Sequence, residues 1–275
     1  MTQPLTLMAV HAHPDDEASS TGGVLAKYSD QGVRTIVVTC TNGEFGDGPA
    51  GTKPGEDGHD TGDVAQTRLA ELREACKHLG VTELELLGYH DSGMPDWEYQ
   101  HRPEAFCNVP LDVVAGRIGV LIEQYRPQVV IGYDPDGAYQ HPDHVHAARA
   151  AIAAVEATGI PAKLYQSAMR RGSWRAVFDA LREAGEDVPE WDMTEEEERA
   201  AAESEARITT EVDIRPVLDR KRAALLAHAS QIEDSWFSKI PPHVVEAAFG
   251  SETFVRVRDD TGAPVPETDL FAGLR

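Results

Sequence analysis

The most informative stretch of the sequence is Leu5-Thr6-Leu7-Met8-Ala9-Val10-His11-Ala12-His13-Pro14-Asp15-Asp16-Glu17. Its first six residues form a short apolar run, which is typical of a strand buried on both faces of a sheet. The next seven residues carry two histidines and three carboxylates. Packing alone does not require so many ionisable side chains directly after a buried strand. We therefore expect a metal site at the carboxyl end of the first strand.

Strand-like and helix-like segments alternate around this stretch, which favours an α/β class with a Rossmann-like, mostly parallel sheet flanked by helices. The predicted strands are 5–10, 34–40, 84–87, 127–133 and 164–167, and the predicted helices are 22–31, 64–79, 111–125 and 144–157. From about Arg170 the alternation stops. We therefore expect residues 1–169 to form a metal-binding catalytic domain. Residues 170–275 are expected to form a smaller helical and extended region that packs on it and helps to form the substrate pocket.

Within that second region the sequence predicts mostly helices. A solvated helix is expected after Thr194, inside a segment, 183–206, that holds eleven acidic residues and one arginine. A further helix is predicted over 214–232. The tail is expected to be extended and to dock through its apolar tip, residues 270–274.

Composition excludes several classes of partner. The chain has 275 residues, 41% of them hydrophobic, and a formal net charge of −22. This acidity disfavours nucleic acid and anionic lipid, because binding phosphates needs a basic face. No apolar run approaches the roughly 18 residues that cross a bilayer, and the first ten residues do not resemble a signal peptide. We expect a soluble, cytoplasmic protein without a nucleic-acid or membrane partner, whose oligomeric state stays open.

The number and spacing of the cysteines indicate a protein of a reducing compartment. Cys40, Cys76 and Cys107 are an odd number, widely spaced and without a C-x-x-C pair. They are expected to be buried thiols.

A second histidine cluster, His141-Pro142-Asp143-His144-Val145-His146, follows the predicted strand 127–133. Proline suits the first turn of a helix, so the first two histidines should lie three residues apart on one side of it. The carboxyl ends of parallel strands meet at one edge of a sheet, and the two clusters should therefore converge. Asp143 or Asp134 could orient a ligating histidine.

The two clusters together supply the parts of a hydrolytic metal site. A catalytic zinc commonly takes three nitrogen or oxygen ligands and leaves a position open for water, and His13, Asp16 and His144 form such a set. Ferrous iron suits the same ligands. Asp15 is then placed to remove a proton from water, and His141 remains as a general acid.

The motif H-x-H-P-D-D-E after the first strand, together with Y-x-H-P-D-H near the middle of the chain, resembles the zinc-dependent LmbE-like (PIG-L) de-N-acetylases, whose fold is Rossmann-like. Within that family the chain is similar in particular to the mycothiol enzymes, namely the mycothiol S-conjugate amidase and the N-acetylglucosaminyl-inositol deacetylase. The stretches that carry this likeness are 8–13, 91–94, 227–232 and 266–273, the last of which resembles the amidase branch. The resemblance covers nearly the whole chain and implies hydrolysis of the amide of an N-acyl-glucosamine.

The resemblance also implies roles for individual residues. It implies the same three zinc ligands and the same general base, and His141 as the general acid or as an electrostatic stabiliser of the tetrahedral intermediate. Tyr139 matches the family tyrosine that donates to the developing oxyanion. The substrate-binding candidates that it implies are Arg68, Asp91, Glu44 and His228.

Several alternatives remain at this stage. The run Glu17-Ala18-Ser19-Ser20 lacks the lysine that the amidase branch carries there, so deacetylation of another sugar-containing or secondary metabolite stays open. A non-catalytic metal- or sugar-binding protein is the alternative from another class. A dinucleotide site is disfavoured because no G-x-G-x-x-G follows the first strand. The glycine-rich segment 43–62 is expected to be either a lid or a disordered insert.

Overall fold

The computed structural model describes residues 4–48, 51–134, 140–168, 170–183, 185, 194–232 and 240–275. The strands are β1 (Thr6–His11), β2 (Arg34–Thr41), β3 (Glu83–Tyr89), β4 (Val129–Gly132), β5 (Lys163–Ala168), β6 (Thr210–Asp213) and β7 (Ser251–Asp259). The helices are α1 (Asp16–Asp30), α2 (Thr61–Leu79), α3 (Leu111–Tyr125), α4 (Pro142–Thr158), α5 (Arg171–Glu183), α6 (Glu195–Ala206), α7 (Leu218–Ala227), α8 (Ala229–Ile232) and α9 (Pro242–Phe249). Among these residues no helix combines the length and the apolarity that crossing a membrane requires.

These strands form one sheet in the order β3-β2-β1-β4-β5-β7-β6. The first five are parallel, and β7 and β6 extend the sheet in antiparallel pairing beyond β5. Strand order reverses between β1 and β4, because the chain proceeds from β1 to β2 and β3 and then returns to the other side of β1. Open α/β sheets bind ligands at such a reversal, outside the carboxyl ends of the strands.

Alternate residues of β1 belong to two separate cores. Leu7 and Ala9 pack in one with helices α1, α2 and α7, whereas Met8 and Val10 pack in the other with α3 and α4. All four side chains are fully buried. Burial on both faces explains why the strand has a continuous apolar sequence. The predicted mostly parallel sheet with helices on its faces is confirmed.

Helix α1 starts earlier than predicted. It begins at Asp16, six residues before the expected start at residue 22, and Asp16 and Glu17 occupy its first turn. Negative charge is favourable there because the helix dipole places partial positive charge at the amino end. The prediction was wrong because it followed apolar spacing, and these buried first-turn residues are acidic. The metal-ligand motif is therefore partly a helix terminus.

The C-terminal part also differs from the prediction. Strands β6 and β7, which the sequence did not reveal, join the same sheet as β1 to β5. Strand β7 mixes charged and apolar residues, and its partner β5 is distant in sequence, so no local pattern marks the pairing. The predicted continuous helix over 214–232 is wrong, since α7 ends at Ala227 and His228 leaves helical geometry.

The tail docks as predicted. Leu270 and Phe271 are fully buried in the core beside α1, and the Phe271 ring meets the Tyr28 ring edge-on at 5.1 Å. Glu267 anchors the preceding segment, with its carboxylate 2.5 Å from the Nζ atom of the buried Lys163. The three cysteines are unpaired; two are buried as expected, whereas Cys107 is only half-buried.

Helix α1 crosses Ile214 at a position where glycine is required. A Cβ atom at Gly23 would lie 2.5 Å from Ile214 Cδ1. We expect Gly23→Ala to lower the free energy of unfolding by about 1–3 kcal/mol, the usual cost of overpacking, measured by urea denaturation. Gly116→Ala is the matched control: its Cβ would meet no atom within 4 Å, so stability should be equal or slightly higher. Equal midpoints for Gly23→Ala and the wild type would contradict the close approach.

Candidate functional site

The two histidine clusters lie beside each other at the carboxyl end of the sheet. The first forms the turn between β1 and α1, and the second opens α4 after β4, with His141 as its N-cap residue. Strands β1 and β4 are hydrogen-bonded neighbours. The reversal of strand order therefore brings together residues that are about 130 positions apart.

The three predicted metal ligands are close to one another. His13 Nδ1 is 3.2 Å from His144 Nε2. Asp16 Oδ2 is 3.5 Å from His13 Nδ1, and Asp16 Oδ1 is 3.5 Å from His144 Nε2. A tetrahedral centre with bonds of about 2.1 Å has edges of roughly 3.4 Å between its ligand atoms. The spacing and the donor chemistry of these residues thus fit a metal ion.

Charge around the ligands also suits a cation. The carboxylates of Asp91, Asp143 and Asp16 outweigh burial, which acts in the opposite direction, and raise the pKa of His13 well above its ordinary value. For Asp16, burial favours the neutral form, but His144 and His13 lower its pKa well below the usual range. The cluster is therefore strongly acidic. A bound cation would stabilise it.

Further side chains surround His13. His141 offers a nitrogen within 4.8 Å of ligand atoms of His13 and His144, and a second group of the same kind is formed by His13, Asp91 and Asp143. Asp143 Oδ2 lies 3.2 Å from His13 Nε2. A carboxylate on the far nitrogen of a ligating histidine fixes its tautomer and orientation. Asp143 occupies that position, so His13 Nδ1 is left for a metal.

Tyr133 contacts two of the predicted ligands, although the sequence predicts it only as the end of a strand. Its hydroxyl donates to Asp16 Oδ2 at 2.6 Å and accepts from the Ala12 N–H at 2.7 Å. Its ring stacks on His144 with centroids 4.3 Å apart. The only hint of this role in the sequence is that Tyr133 precedes the second histidine cluster. A tyrosine that merely packs in the core could occupy the same position.

We expect Tyr133→Phe to weaken metal binding about 10–100-fold, as is usual when an outer partner of a ligand is lost. The ring, and with it the packing on His144, stays in place. Competition with a chelator of known affinity measures the change. Tyr125→Phe removes another hydroxyl, one that bonds Glu85 away from the site, and should not alter the affinity. Equal affinities for Tyr133→Phe and the wild type would contradict the assigned role.

Asp15 has an unusual backbone conformation beside the ligands. Its φ of 118° and ψ of −26° lie in a region that favours glycine. Its carboxylate Oδ2 accepts a hydrogen bond from Arg68 Nη2 at 2.9 Å. Burial raises the pKa of Asp15 to about 6, although Arg68 acts in the opposite direction. A carboxylate of this kind is suited to accept a proton near neutral pH.

His141 lies against the ligand rings. Its ring centroid is 4.6 Å from that of His13. Burial and the two neighbouring histidines lower the pKa of His141 to about 3. Its Nδ1 accepts from the backbone N–H of Asp143 at 3.2 Å, so the neutral ring carries its proton on Nε2. Tyr139, the predicted oxyanion donor, lies outside the described residues, and its role stays a prediction.

Two of the substrate-binding candidates line a cleft next to the ligands. Glu44 and Asp91 border a cleft of about 170 Å³ that opens to solvent, together with Tyr99 and Arg102 among others. One oxygen of Glu44 meets His90 Nδ1 at 2.7 Å, and the other is buried without a hydrogen-bond partner in the described structure. Concave sites lined by a few polar groups are common places for small molecules to bind.

The other two candidates, Arg68 and His228, lie behind Asp15. Arg68 is buried and donates to the backbone oxygens of Pro14 and Gly43 as well as to Asp15. His228 is fully buried, with Nε2 2.7 Å from Glu17 Oε1. Their hydrogen bonds support the turn that carries Asp15.

The described part of the glycine-rich segment 43–62 forms one side of the cleft. Phe45 stacks on Tyr99 with ring centroids 4.0 Å apart. Gln231, from the C-terminal region, donates to Asp47 O at 3.1 Å and accepts from Asp47 N at 3.2 Å. The segment therefore contacts Tyr99, which lines the cleft, and Gln231 of the C-terminal region.

Fold and site together define an α/β protein with a candidate metal centre at the reversal of strand order and the Arg68-bound carboxylate of Asp15 beside it. Residues 8–155 match the family model of PIG-L, GlcNAc-PI de-N-acetylase. The chain therefore belongs to the PIG-L family.

Two curated relatives align over almost the whole chain. A 1D-myo-inositol 2-acetamido-2-deoxy-alpha-D-glucopyranoside deacetylase of Acidothermus cellulolyticus is 40% identical, covering 98% of this chain and 95% of the relative. A mycothiol S-conjugate amidase of Streptomyces coelicolor is 33% identical, covering 100% and 99%.

Solved structures share the fold at lower identity. The N,N'-diacetylchitobiose deacetylase from Pyrococcus horikoshii superposes with a TM-score of 0.61 at 20% identity, over 92% of this chain and 84% of that one. The zinc-inhibited form of teicoplanin deacetylase Orf2 superposes with a TM-score of 0.59 at 20% identity, over 93% and 99%.

Proposed function

We propose that the protein is a zinc-dependent amide hydrolase that removes the acyl group from an N-acyl-glucosamine-containing small molecule of the mycothiol group. The observation that carries this proposal is the pairing of a ligand cluster, His13, Asp16 and His144, with the Arg68-bound carboxylate of Asp15 beside it. A protein that only held a metal would need the first and not the second. Family membership and the named deacetylase and amidase relatives support the same conclusion.

Each catalytic residue has a role that its contacts support. A divalent metal, zinc or alternatively ferrous iron, would be held by the three ligands and would supply Lewis-acid polarisation of the amide carbonyl and more acidic water. Asp15 accepts the proton of the attacking water, a task that its pKa of about 6 suits. His141 is neutral, with its pKa lowered to about 3, and donates a hydrogen bond from Nε2 to the developing oxyanion, since its Nδ1 is already occupied as an acceptor. The proton that Asp15 takes from the attacking water is then passed to the departing amine. Tyr139 is proposed to assist at the oxyanion.

The cleft supports a polar, hydroxyl-rich substrate. Glu44 and Asp91 present carboxylates to it, and such groups accept hydrogen bonds from sugar or cyclitol hydroxyls. We assign residues 1–169 the catalytic machinery and residues 170–275 a supporting role, which the contacts of Gln231 and His228 favour. The proposed setting is cytoplasmic, with a small molecule as partner.

The deciding experiment supplies the metal-loaded protein with two substrates. One is 1D-myo-inositol 2-acetamido-2-deoxy-alpha-D-glucopyranoside, with acetate release as the readout; the other is a mycothiol S-conjugate, with release of the cleaved amide products. Hydrolysis of at least one is expected, and their ratio of kcat/KM identifies the substrate. Turnover of a different N-acyl amino sugar alone would place the protein in another pathway.

One result would contradict the proposed hydrolase activity. Tight binding of zinc without hydrolysis of any N-acyl sugar would identify a non-catalytic binding protein on the same scaffold. In that case Asp15→Asn would leave zinc affinity, the one function of such a protein, nearly unchanged.

A further inference from the structure

Glu17 connects the C-terminal region to the turn that carries Asp15. Glu17 is fully buried in the first turn of α1. One carboxylate oxygen, Oε2, accepts the backbone N–H of Asp15 at 3.0 Å. The other, Oε1, lies 2.7 Å from Nε2 of His228. Both oxygens are therefore engaged inside the protein.

His228 is placed for this contact by a break between two helices. It is the C-cap residue of α7, with φ −83° and ψ 52°, directly before α8. The side chain is fully buried, and its only recorded hydrogen-bond partner among the described residues is Glu17. A continuous helix over this stretch would place the ring differently. The break therefore allows the His228 ring to reach Glu17.

The backbone of Asp15 needs external support. Its φ of 118° is unfavourable for a residue with a side chain and persists only where surrounding contacts hold it. Its carbonyl accepts the N–H groups of Ala18 and Ser19, and Arg68 binds the preceding carbonyl, that of Pro14. The remaining backbone group, the N–H of Asp15, is the one that Glu17 takes.

We infer that Glu17 and His228 form a positioning pair that holds Asp15 in its strained conformation and so aims its carboxylate at the substrate. This inference rests on the proposed function, because it assigns Asp15 the role of base. His228 fixes the rotamer of Glu17, and Glu17 fixes the backbone of Asp15. Both residues thus act through Asp15, and neither belongs to the proposed metal-ligand set.

The test compares His228→Ala and Glu17→Gln in two backgrounds, wild type and Asp15→Asn. In the wild type, each substitution should lower kcat by up to about 10²-fold, the scale of a small misplacement, with KM and metal affinity unchanged. In the Asp15→Asn background the same substitutions should cost less than about twofold, because residues that act through one group are not additive. Added imidazole should partly restore His228→Ala.

Ser230→Ala is the matched control, since the Ser230 hydroxyl lies in the same segment but bonds Glu71 and Gln231 instead of Glu17; the kcat of this variant should match the wild type. Equal losses in both backgrounds, or loss of metal binding in His228→Ala, would show a merely structural role and overturn the inference.

A second readout does not depend on turnover. Hydrogen exchange of the Asp15 amide, followed by NMR, should be slow in the wild type and much faster in His228→Ala, while strand β1 stays protected. An unchanged exchange rate of the Asp15 amide in His228→Ala would overturn the inferred positioning role, even if no substrate were found. Absence of all hydrolysis by the wild type, with accelerated exchange in the variant, would instead count against the proposed function alone.

Discussion

Asp15→Asn is expected to lower kcat by about 10²–10⁴-fold, the usual contribution of a general base. The amide cannot accept a proton, but it keeps the size of the carboxylate and can still accept a hydrogen bond from Arg68. The loss should therefore fall on kcat and leave KM nearly unchanged. Steady-state kinetics with the better of the two proposed substrates measures it.

The control for this substitution is Asp63→Asn. Asp63 is an exposed aspartate in the first turn of α2, so the same chemical change there should leave kcat at the wild-type value. Metal content must also be compared, because Asp15 neighbours the ligand Asp16. Wild-type turnover by Asp15→Asn with a full metal complement would remove Asp15 from the mechanism.

Removal of the metal is expected to abolish hydrolysis completely. Treatment with a chelator followed by dialysis should give an inactive protein, and added Zn²⁺ or Fe²⁺ should restore turnover; the metal that gives the higher kcat/KM is the better candidate for the cell. The physical reason is that His13, Asp16 and His144 bring their nitrogen and carboxylate oxygen atoms within 3.2–3.5 Å of one another. Without a cation, the amide carbonyl there meets an acidic cluster.

His144→Ala tests the same point without a chelator. It removes one of three ligands, so metal affinity should fall by more than the about 10–100-fold that loss of an outer partner costs. His146→Ala is the matched control, because His146 lies on the same helix and packs edge-on against Phe106, outside the ligand groups. Retained zinc affinity and retained turnover in His144→Ala would contradict the assigned ligand set.

Prediction from sequence succeeded where the signal is local. The buried strand at 5–10 and the histidine clusters after β1 and β4 were visible as short patterns, and parallel strands then required both clusters to share one edge. The structure brings His13, Asp16 and His144 together accordingly. Strands β6 and β7 were missed because their residues are partly charged and because β7 pairs with β5, which is distant in sequence.

The supporting residues of the site were harder to predict. The sequence predicted Tyr133 only as the end of a strand and Glu17 only as one carboxylate of the first cluster. Their roles depend on hydrogen bonds to Asp16 and to the backbone of Asp15. His228 was predicted to bind substrate because it lies in a stretch that resembles the family, yet the structure buries it against Glu17. A motif shows which residues are chemically able to act, and it does not show which way they face.

The sequence by itself therefore determined the class of the fold, the family and the residues able to bind a metal, because each of these follows from patterns of neighbouring residues. Only the tertiary structure decided how the site is held. The reversal of strand order between β1 and β4 sets the ligand distances, and the break after Ala227 brings His228 to Glu17. These contacts join positions more than a hundred residues apart, and packing of the whole chain, not local propensity, selects them.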